Sequence, residues 1–304
     1  MDPDISIMFQ SPSSRGLSED RVRVELSPRY NRRPLPQYEA RIAESWSQRC
    51  QQNPWLFNGS KFRIHSASLE REESGEEEGG EGRQERGVLL RLRLGLTCYR
   101  DFMGTNWAPW AAVLQQRGLG ELGDSQAYLA EPLGVGAMLL TADDSFVFLK
   151  RSERVGEAPG KIDIPGGHPE PKAVAVGIPE ESIQLKDLSE ELVVQELFFS
   201  VLAEIRDEVN LPLHSLHKPI LLGIARNNTS AGRASAEFYI RCSLTSEEVK
   251  HFYWEGGPEA QESTNIVFIK REDVLRLEEN ALLWSELCPS AKGAVKLYSL
   301  VQPV

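Results

Sequence analysis

Cysteine is scarce in this sequence: Cys50, Cys98, Cys242 and Cys288 are scattered through 304 residues without a Cys-x-x-Cys pair. With no charged, apolar, cleavable segment at the start either, this usage implies reduced thiols in a cytosolic or nuclear compartment. Long apolar runs are absent too, since Gly or a charge interrupts each candidate within a few residues, which excludes a spanning helix. Positive charge is in deficit. The formal net charge is -11, so no global positive field exists to hold nucleic acid or an anionic membrane surface. A small anionic substrate would then need locally placed metal ions or arginines. Asn58, Asn227 and Asn228 fit the glycosylation pattern, which is a chance match in a chain that never enters the secretory route.

What is present suffices for a folded core, with 40% of residues hydrophobic. No internal repeat is visible. Alternation in Arg21-Val-Arg-Val-Glu-Leu predicts a strand, Tyr30-Asn-Arg-Arg-Pro a turn, and residues 39–52 a helix. Two strands are expected at 61–69 and 88–97, joined by a Glu/Gly-rich stretch from Glu70 to Gly87 that reads as a solvated acidic connection. From Leu133 the texture changes. Strands are expected at 134–141 and 145–150 around the turn Asp143-Asp144, and again at 219–226, 234–242 and 265–269. Strands, one long helix and strands again imply an α/β (α+β) layered fold, with a domain boundary between residues 128 and 129.

The segment from Ile162 to Leu211 carries the chemistry. It opens with Ile162-Asp-Ile-Pro-Gly-Gly-His-Pro-Glu-Pro and closes in a helix whose apolar face includes Phe198, Val201, Leu202, Ile205 and Val209. Glu204 and Glu208 fall side by side along one edge of that face, with Asp207 within reach. Like charges so placed repel each other. A divalent cation relieves that repulsion, and Mg²⁺ takes one or two protein carboxylates while substrate phosphates fill other positions. Acidic pairs at this spacing are also common on solvated helix faces. Gly166 and Gly167, which allow close backbone approach, favour the metal reading.

This segment resembles a divergent Nudix box, a glycine and a later glutamate followed by Arg-Glu-aliphatic-x-Glu-Glu-x-Gly-aliphatic. Ala203-Glu-Ile-Arg-Asp-Glu-Val-Asn-Leu matches its second half, with Glu204 and Glu208 on the metal-ligand positions and Asp207 on the intervening acid. Ala203 stands in place of the Arg and Asn210 in place of the Gly, although Asn tolerates the left-handed conformation that Gly would supply. Gln195 falls on the first Glu position, with Glu196 one place away. Roughly twenty extra residues follow Gly167, with Pro169, Pro171, Gly177 and Pro179 among them, and are expected to loop out.

Beyond the box, Pro54-Trp-Leu-Phe, Leu96-Thr-Cys-Tyr-Arg-Asp-Phe, Gly104-Thr-Asn-Trp, Thr229-Ser-Ala-Gly-Arg-Ala-Ser-Ala-Glu-Phe-Tyr and Leu287-Cys-Pro-Ser-Ala-Lys-Gly-Ala resemble the UDP-glucose pyrophosphatase branch of the Nudix hydrolases. The resemblance implies a Nudix α/β/α sandwich over residues 129–304, preceded by a smaller α+β recognition domain over 1–128. It also implies hydrolysis of UDP-glucose and UDP-galactose to UMP and the sugar 1-phosphate with Mg²⁺, or Mn²⁺ as an alternative. It places Phe57 and Tyr99 at the nucleoside, Arg151, Gly156 and Asp163 nearby, His168 and Glu170 at the sugar-phosphate end, and Ser290 as a further substrate contact. On pattern alone, Phe57 reads as core and Arg151 as a strand-end surface charge. Arg233 and Glu237 read as either functional or alternating with the core face. Two other functions stay open: a pyrophosphatase for another nucleoside diphosphate derivative such as ADP-ribose, and a non-catalytic nucleotide-binding protein. Nucleic acid and membrane are not expected partners.

Overall fold

The computed structural model describes residues 2–71, 88–155 and 157–303. Most of the Glu/Gly-rich stretch, and Gly156, therefore lie outside the described residues. The larger sheet runs β1 (Ile5–Gln10), β9 (Ile220–Asn227), β10 (Arg233–Arg241), β5 (Gly134–Leu140), β6 (Ser145–Arg151) and β11 (Ser263–Lys270). Two short strands attach to it, β7 (Ile162–Asp163) on β6 and β8 (Gly166–Gly167) on β5. Within this sheet β10 and β5 pair in parallel and the other neighbours are antiparallel. A second sheet is ordered β2 (Val22–Leu26), β4 (Val88–Cys98) and β3 (Ser60–Arg71).

The central strands are apolar on both faces because helices cover both. Val147 and Leu149 of β6 face one core, while Phe146 and Phe148 face the other, the period-two alternation of a strand buried on both sides. The chain order of helices is α1 (Pro36–Gln52), α2 (Tyr99–Gly104), α3 (Ala111–Leu122), α4 (Pro171–Val174), α5 (Glu190–Val209), α6 (Ser246–Glu255), α7 (Arg271–Val274), α8 (Ala281–Glu286) and α9 (Pro289–Val301). On one side α5 places Val193, Leu197, Val201, Ile205 and Val209 in a core shared with both sheets. On the other, α9 packs Ala291, Ala294, Val295 and Tyr298 against the larger sheet. The result is the expected α/β/α arrangement.

The first 128 residues are tied into this frame by buried polar contacts. Arg63 of β3, fully enclosed, donates to the carbonyls of Tyr30, Gln126 and Leu129 at 2.8, 2.8 and 3.1 Å. Glu131, also fully buried, accepts from Arg226 at 2.8 Å and Asn106 at 2.9 Å. Burial raises the Glu131 pKa, and the adjacent Arg226 opposes that rise.

Two segments depart from expectation. Residues 5–10, to which the sequence reading assigned no element, form an edge strand on β9. The insertion after Gly167 does not loop out. It forms α4 and two single 3-10 turns, and buries Ala175 and Leu188 with Ile178, Ile183 and Leu185 packed against the same core. Its prolines shape turns, but its apolar residues have a core to join. Among the described residues no helix is long and apolar enough to cross a membrane, and all four cysteines are free.

Candidate active site

Helix α5 starts where Ser189 accepts a hydrogen bond from the Leu192 amide and ends at Asn210, whose φ of 63° is left-handed. Asn210 thus does adopt the conformation that the resemblance assigned to glycine. Its side-chain amide donates to the Phe252 carbonyl at 2.9 Å, which anchors the helix end to α6. Fixed in this way, α5 presents Glu204 and Glu208 to the turn made by β8.

The two carboxylates are held by backbone. The Gly166 amide donates to Glu208 Oε2 at 2.9 Å, and the His168 amide donates to Glu204 Oε1 at 3.3 Å. A Cβ on Gly167 would stand 1.9 Å from Glu204 Oε1; the missing side chain is where the carboxylate sits. Burial raises the Glu208 pKa well above the ordinary carboxylate value, and the Glu204 charge adds to this. Glu204 is pushed up to about 7 by burial first, then by Glu259, Glu262 and Asp207. Such mutual repulsion favours a cation. Among the described residues no three of His, Cys, Asp and Glu converge closely enough to hold a metal ion by themselves. Half-buried Glu204 and buried Glu208 on one helix edge fit an ion that takes one or two protein ligands and completes its shell with substrate oxygens.

Glu204 opens into a cavity of about 360 Å³, bordered by Arg151, Asp163, His168, Glu170 and Ser290. Five residues expected to touch substrate therefore meet around one space, beside an expected metal ligand. Arg151 pairs with Asp163 at 2.8 Å, and Glu170 pairs with Lys61 of β3 at 3.2 Å. His168 is only partly exposed; its enclosure holds the ring pKa well below 6.5, with the charges of Lys61 and Arg233 adding to this. The ring is neutral at pH 7. Gly156 lies outside the described residues.

Other residues stand apart from this space. Asp207 lines no part of the cavity; its carboxylate is held by Arg206 at 2.6 and 2.7 Å, and its carbonyl accepts from the Glu259 amide at 3.0 Å. Phe57 is not core: it is 66% exposed, and its ring sits beside Gly59. Tyr99 packs edge-on against Trp46 with ring centroids 6.0 Å apart. Neither ring borders the cavity. Burial raises the Tyr99 phenol pKa, opposed by the charge of Arg49 and aided to a smaller extent by that of Glu157.

Sequence reasoning missed several residues on the cavity wall. Glu259 and Glu262 come from the turn before β11, and Lys61 from the second sheet. Glu157 accepts from Asn227, Ser230 and Arg233 at 3.0 to 3.1 Å. Glu196 accepts from the Glu170 amide at 2.9 Å, so it is Glu196, next to the expected position at Gln195, that reaches toward the site. Glu237, singled out in the sequence together with Arg233, lines no part of the cavity; it is fully buried with neither oxygen hydrogen-bonded, and is pushed up to about 8 by burial, with Asp163 adding and Ser235 and Arg233 opposing. A Cβ on Gly136 would meet Glu237 Oε2 at 2.3 Å, so this glycine makes room for the carboxyl. Ser235, which alternates with Arg233 and Glu237 along β10 and does line the cavity, was missed.

No family model matches the chain. It is 57% identical over 302 residues to the uridine diphosphate glucose pyrophosphatase NUDT22 of Bos taurus, a match spanning 99% of this chain and 99% of that protein. It is 33% identical over 302 residues to Nudix hydrolase 9 of Arabidopsis thaliana, spanning 97% of this chain and 90% of that one. Among solved structures, the MutT protein from Methanosarcina mazei Go1 is 16% identical with a TM-score of 0.35, over 56% of this chain and 91% of that one, a likeness too loose to bear on function. Relatives matched over nearly the whole chain, at 57% and 33% identity, place it in a family: the chain belongs to the Nudix hydrolases, on the branch of the uridine diphosphate glucose pyrophosphatases.

Proposed function

We propose that this protein hydrolyses UDP-glucose and UDP-galactose at the pyrophosphate link, releasing UMP and glucose 1-phosphate or galactose 1-phosphate. The observation that carries this reading is the mix of acidic and basic side chains on the wall of this cavity. Glu204, Glu259 and Glu262 cluster on its wall, and Arg151, Arg233 and Lys61 line it as well, each paired with a carboxylate, Asp163, Glu157 and Glu170 respectively. A diphosphate needs both, a cation site for its bridging region and donors for its outer oxygens. The cavity is also of a size that suits a small ligand.

A divalent cation, Mg²⁺ in this reading or Mn²⁺ in its place, would be held by Glu204 and Glu208 and would polarise the pyrophosphate oxygens. Water attacks one phosphorus, and its proton passes to a carboxylate of the cluster Glu204, Glu259 and Glu262 on the cavity wall. The neutral His168 ring can donate to a sugar-phosphate oxygen from one nitrogen. Glu170 would read sugar hydroxyls at the same end, oriented by Lys61. Asp207 would act through its backbone oxygen by fixing the turn that carries Glu259.

Selection of uridine would come from the first 128 residues, with the nucleoside resting against Tyr99 and Phe57. The ring faces of such residues offer stacking that does not depend on the phosphates, so contact forms in ground and transition states alike. Tyr99→Ala should weaken UMP and UDP-glucose binding by roughly fivefold to 150-fold, the equivalent of about 1 to 3 kcal/mol of stacking. KM should rise far more than kcat falls. Circular dichroism verifies that the variant is folded, and a panel including ADP-ribose measures the selectivity. A folded Tyr99→Ala protein that binds UMP as tightly as the parent would rule out this role.

A further inference from the structure

We infer that Glu157 is a positioning residue, whose carboxylate fixes Arg233 on the cavity wall before a ligand arrives; this rests on the UDP-sugar reading above, in which that arginine meets the diphosphate. Glu157 lies in the loop between β6 and β7 and borders the cavity. Its carboxylate accepts from Arg233 Nη2 at 3.1 Å through each oxygen, and Oε1 also takes Asn227 Nδ2 and Ser230 Oγ at 3.0 Å. These three partners span the turn from β9 to β10. One side chain from a separate loop therefore pins that turn at three points.

The loop that carries Glu157 is itself held in an uncommon shape. Ala158, the next residue, has a φ of 44°, a left-handed conformation that persists in a residue other than glycine only where its surroundings impose it. On one side Ala158 packs against the core that α9 shares. On the other, the Glu157 carbonyl accepts from Arg151 Nε at 3.0 Å. The partner turn is anchored as well, because Trp107 Nε1 donates to Ser230 Oγ at 3.1 Å and Asn106 Nδ2 to the Ser230 carbonyl at 3.2 Å. Glu157 thus joins two backbone segments that are each fixed elsewhere, and Arg233 is caught between them.

Arg233 depends on this carboxylate. The residue is only 7% exposed, its Nε has no hydrogen-bond partner, and its other side-chain contact, to Ser290 Oγ, is at 3.5 Å. Without Glu157 a buried guanidinium would lose its counter-charge and turn toward water, so a ligand would have to order it again on binding. A glutamine at 157 keeps the shape and an oxygen for Asn227 and Ser230. It also turns an NH₂ group toward Arg233, which cannot accept.

A double-mutant cycle in the full-length protein tests this role. Calorimetric titration with UDP-glucose in EDTA reads affinity without turnover, and kcat and KM with Mg²⁺ read the reaction. Glu157→Gln should weaken UDP-glucose binding roughly twofold to tenfold, the cost of immobilising one long side chain on binding. KM should rise by a similar factor with kcat nearly unchanged, because the arginine is ordered once the substrate is bound. In Arg233→Ala, adding Glu157→Gln should change neither quantity further. If Glu157→Gln does not fold, Glu157→Asp keeps the charge a methylene short and should show the same coupling in smaller measure. Effects that multiply in the double variant, together with a lowered melting temperature, would mean that Glu157 only supports the fold, and would overturn the inference. Tighter UDP-glucose binding in Glu157→Gln would also overturn it, since the carboxylate would then compete with the ligand for Arg233. So would unchanged affinity, or no binding by the parent. Coupling in affinity without hydrolysis by the parent with Mg²⁺ would instead remove the proposed reaction and leave the role of Glu157 in place.

Discussion

Glu208→Gln should leave the protein folded and cut UDP-glucose turnover by roughly a hundredfold to ten-thousandfold, the loss expected when several kcal/mol of transition-state stabilisation disappears. The substitution keeps the size of the side chain, and Gln Oε1 can still accept the Gly166 amide that Glu208 now holds at 2.9 Å. It also removes a buried carboxyl whose charged form is disfavoured by burial and by Glu204. In the absence of metal the variant should therefore be at least as stable as the parent. The distinguishing readout is thermal: Mg²⁺ should raise the melting temperature of the parent protein and have little effect on that of Glu208→Gln. Parent-like Mg²⁺-dependent turnover in the variant would remove Glu208 from the metal site.

A second large effect is expected at Glu237, this time on stability. Burial pushes its folded-state pKa up to about 8, from an ordinary carboxylate value of 4.5. A carboxyl raised in this way favours folding below its unfolded pKa, and that contribution is lost as pH climbs through the folded value, because the native state binds more protons between the two. Full ionisation would cost on the order of 5 kcal/mol, at 1.36 kcal/mol per pKa unit. Glu237→Gln removes the titration. Relative to the parent, it should gain stability steadily from about pH 4.5 to about pH 8 and then level off. Urea denaturation at a series of pH values measures the difference. Parallel stability curves would mean that Glu237 titrates normally, and the view of it as a neutral buried group would fail.

The sequence disclosed elements with strong local patterns. The alternation at 21–26 and the apolar runs at 134–141 and 145–150 became β2, β5 and β6, and the apolar stripe through Val201, Ile205 and Val209 became the buried face of α5. The Glu204 and Glu208 pair was legible because helical spacing alone puts them on one edge. Glu259, Glu262, Lys61 and Glu157 were not, because each comes from a distant turn or strand and only the pairing of β11 with β6 and the packing of β3 bring them to the cavity. Single acids in loops carry no period. The strand at 5–10 was hidden for a related reason: an edge strand gains its partner from β9, more than two hundred residues away. Phe57 shows the opposite error. A Trp-Leu-Phe run suggests core, yet Trp55 is 90% exposed and Phe57 66%, so apolar character there marks a surface rather than an interior.

The most direct measurement is product formation from UDP-glucose by the full-length protein, with Mg²⁺ and then with excess EDTA. UMP and glucose 1-phosphate should appear in equal amounts with Mg²⁺, formation should stop on chelation, and added Mg²⁺ should restore it. ADP-ribose should be hydrolysed far more slowly under the same conditions. Absence of UMP with Mg²⁺ and Mn²⁺, or formation undiminished in EDTA, would contradict a metal-dependent UDP-sugar hydrolase built on Glu204 and Glu208.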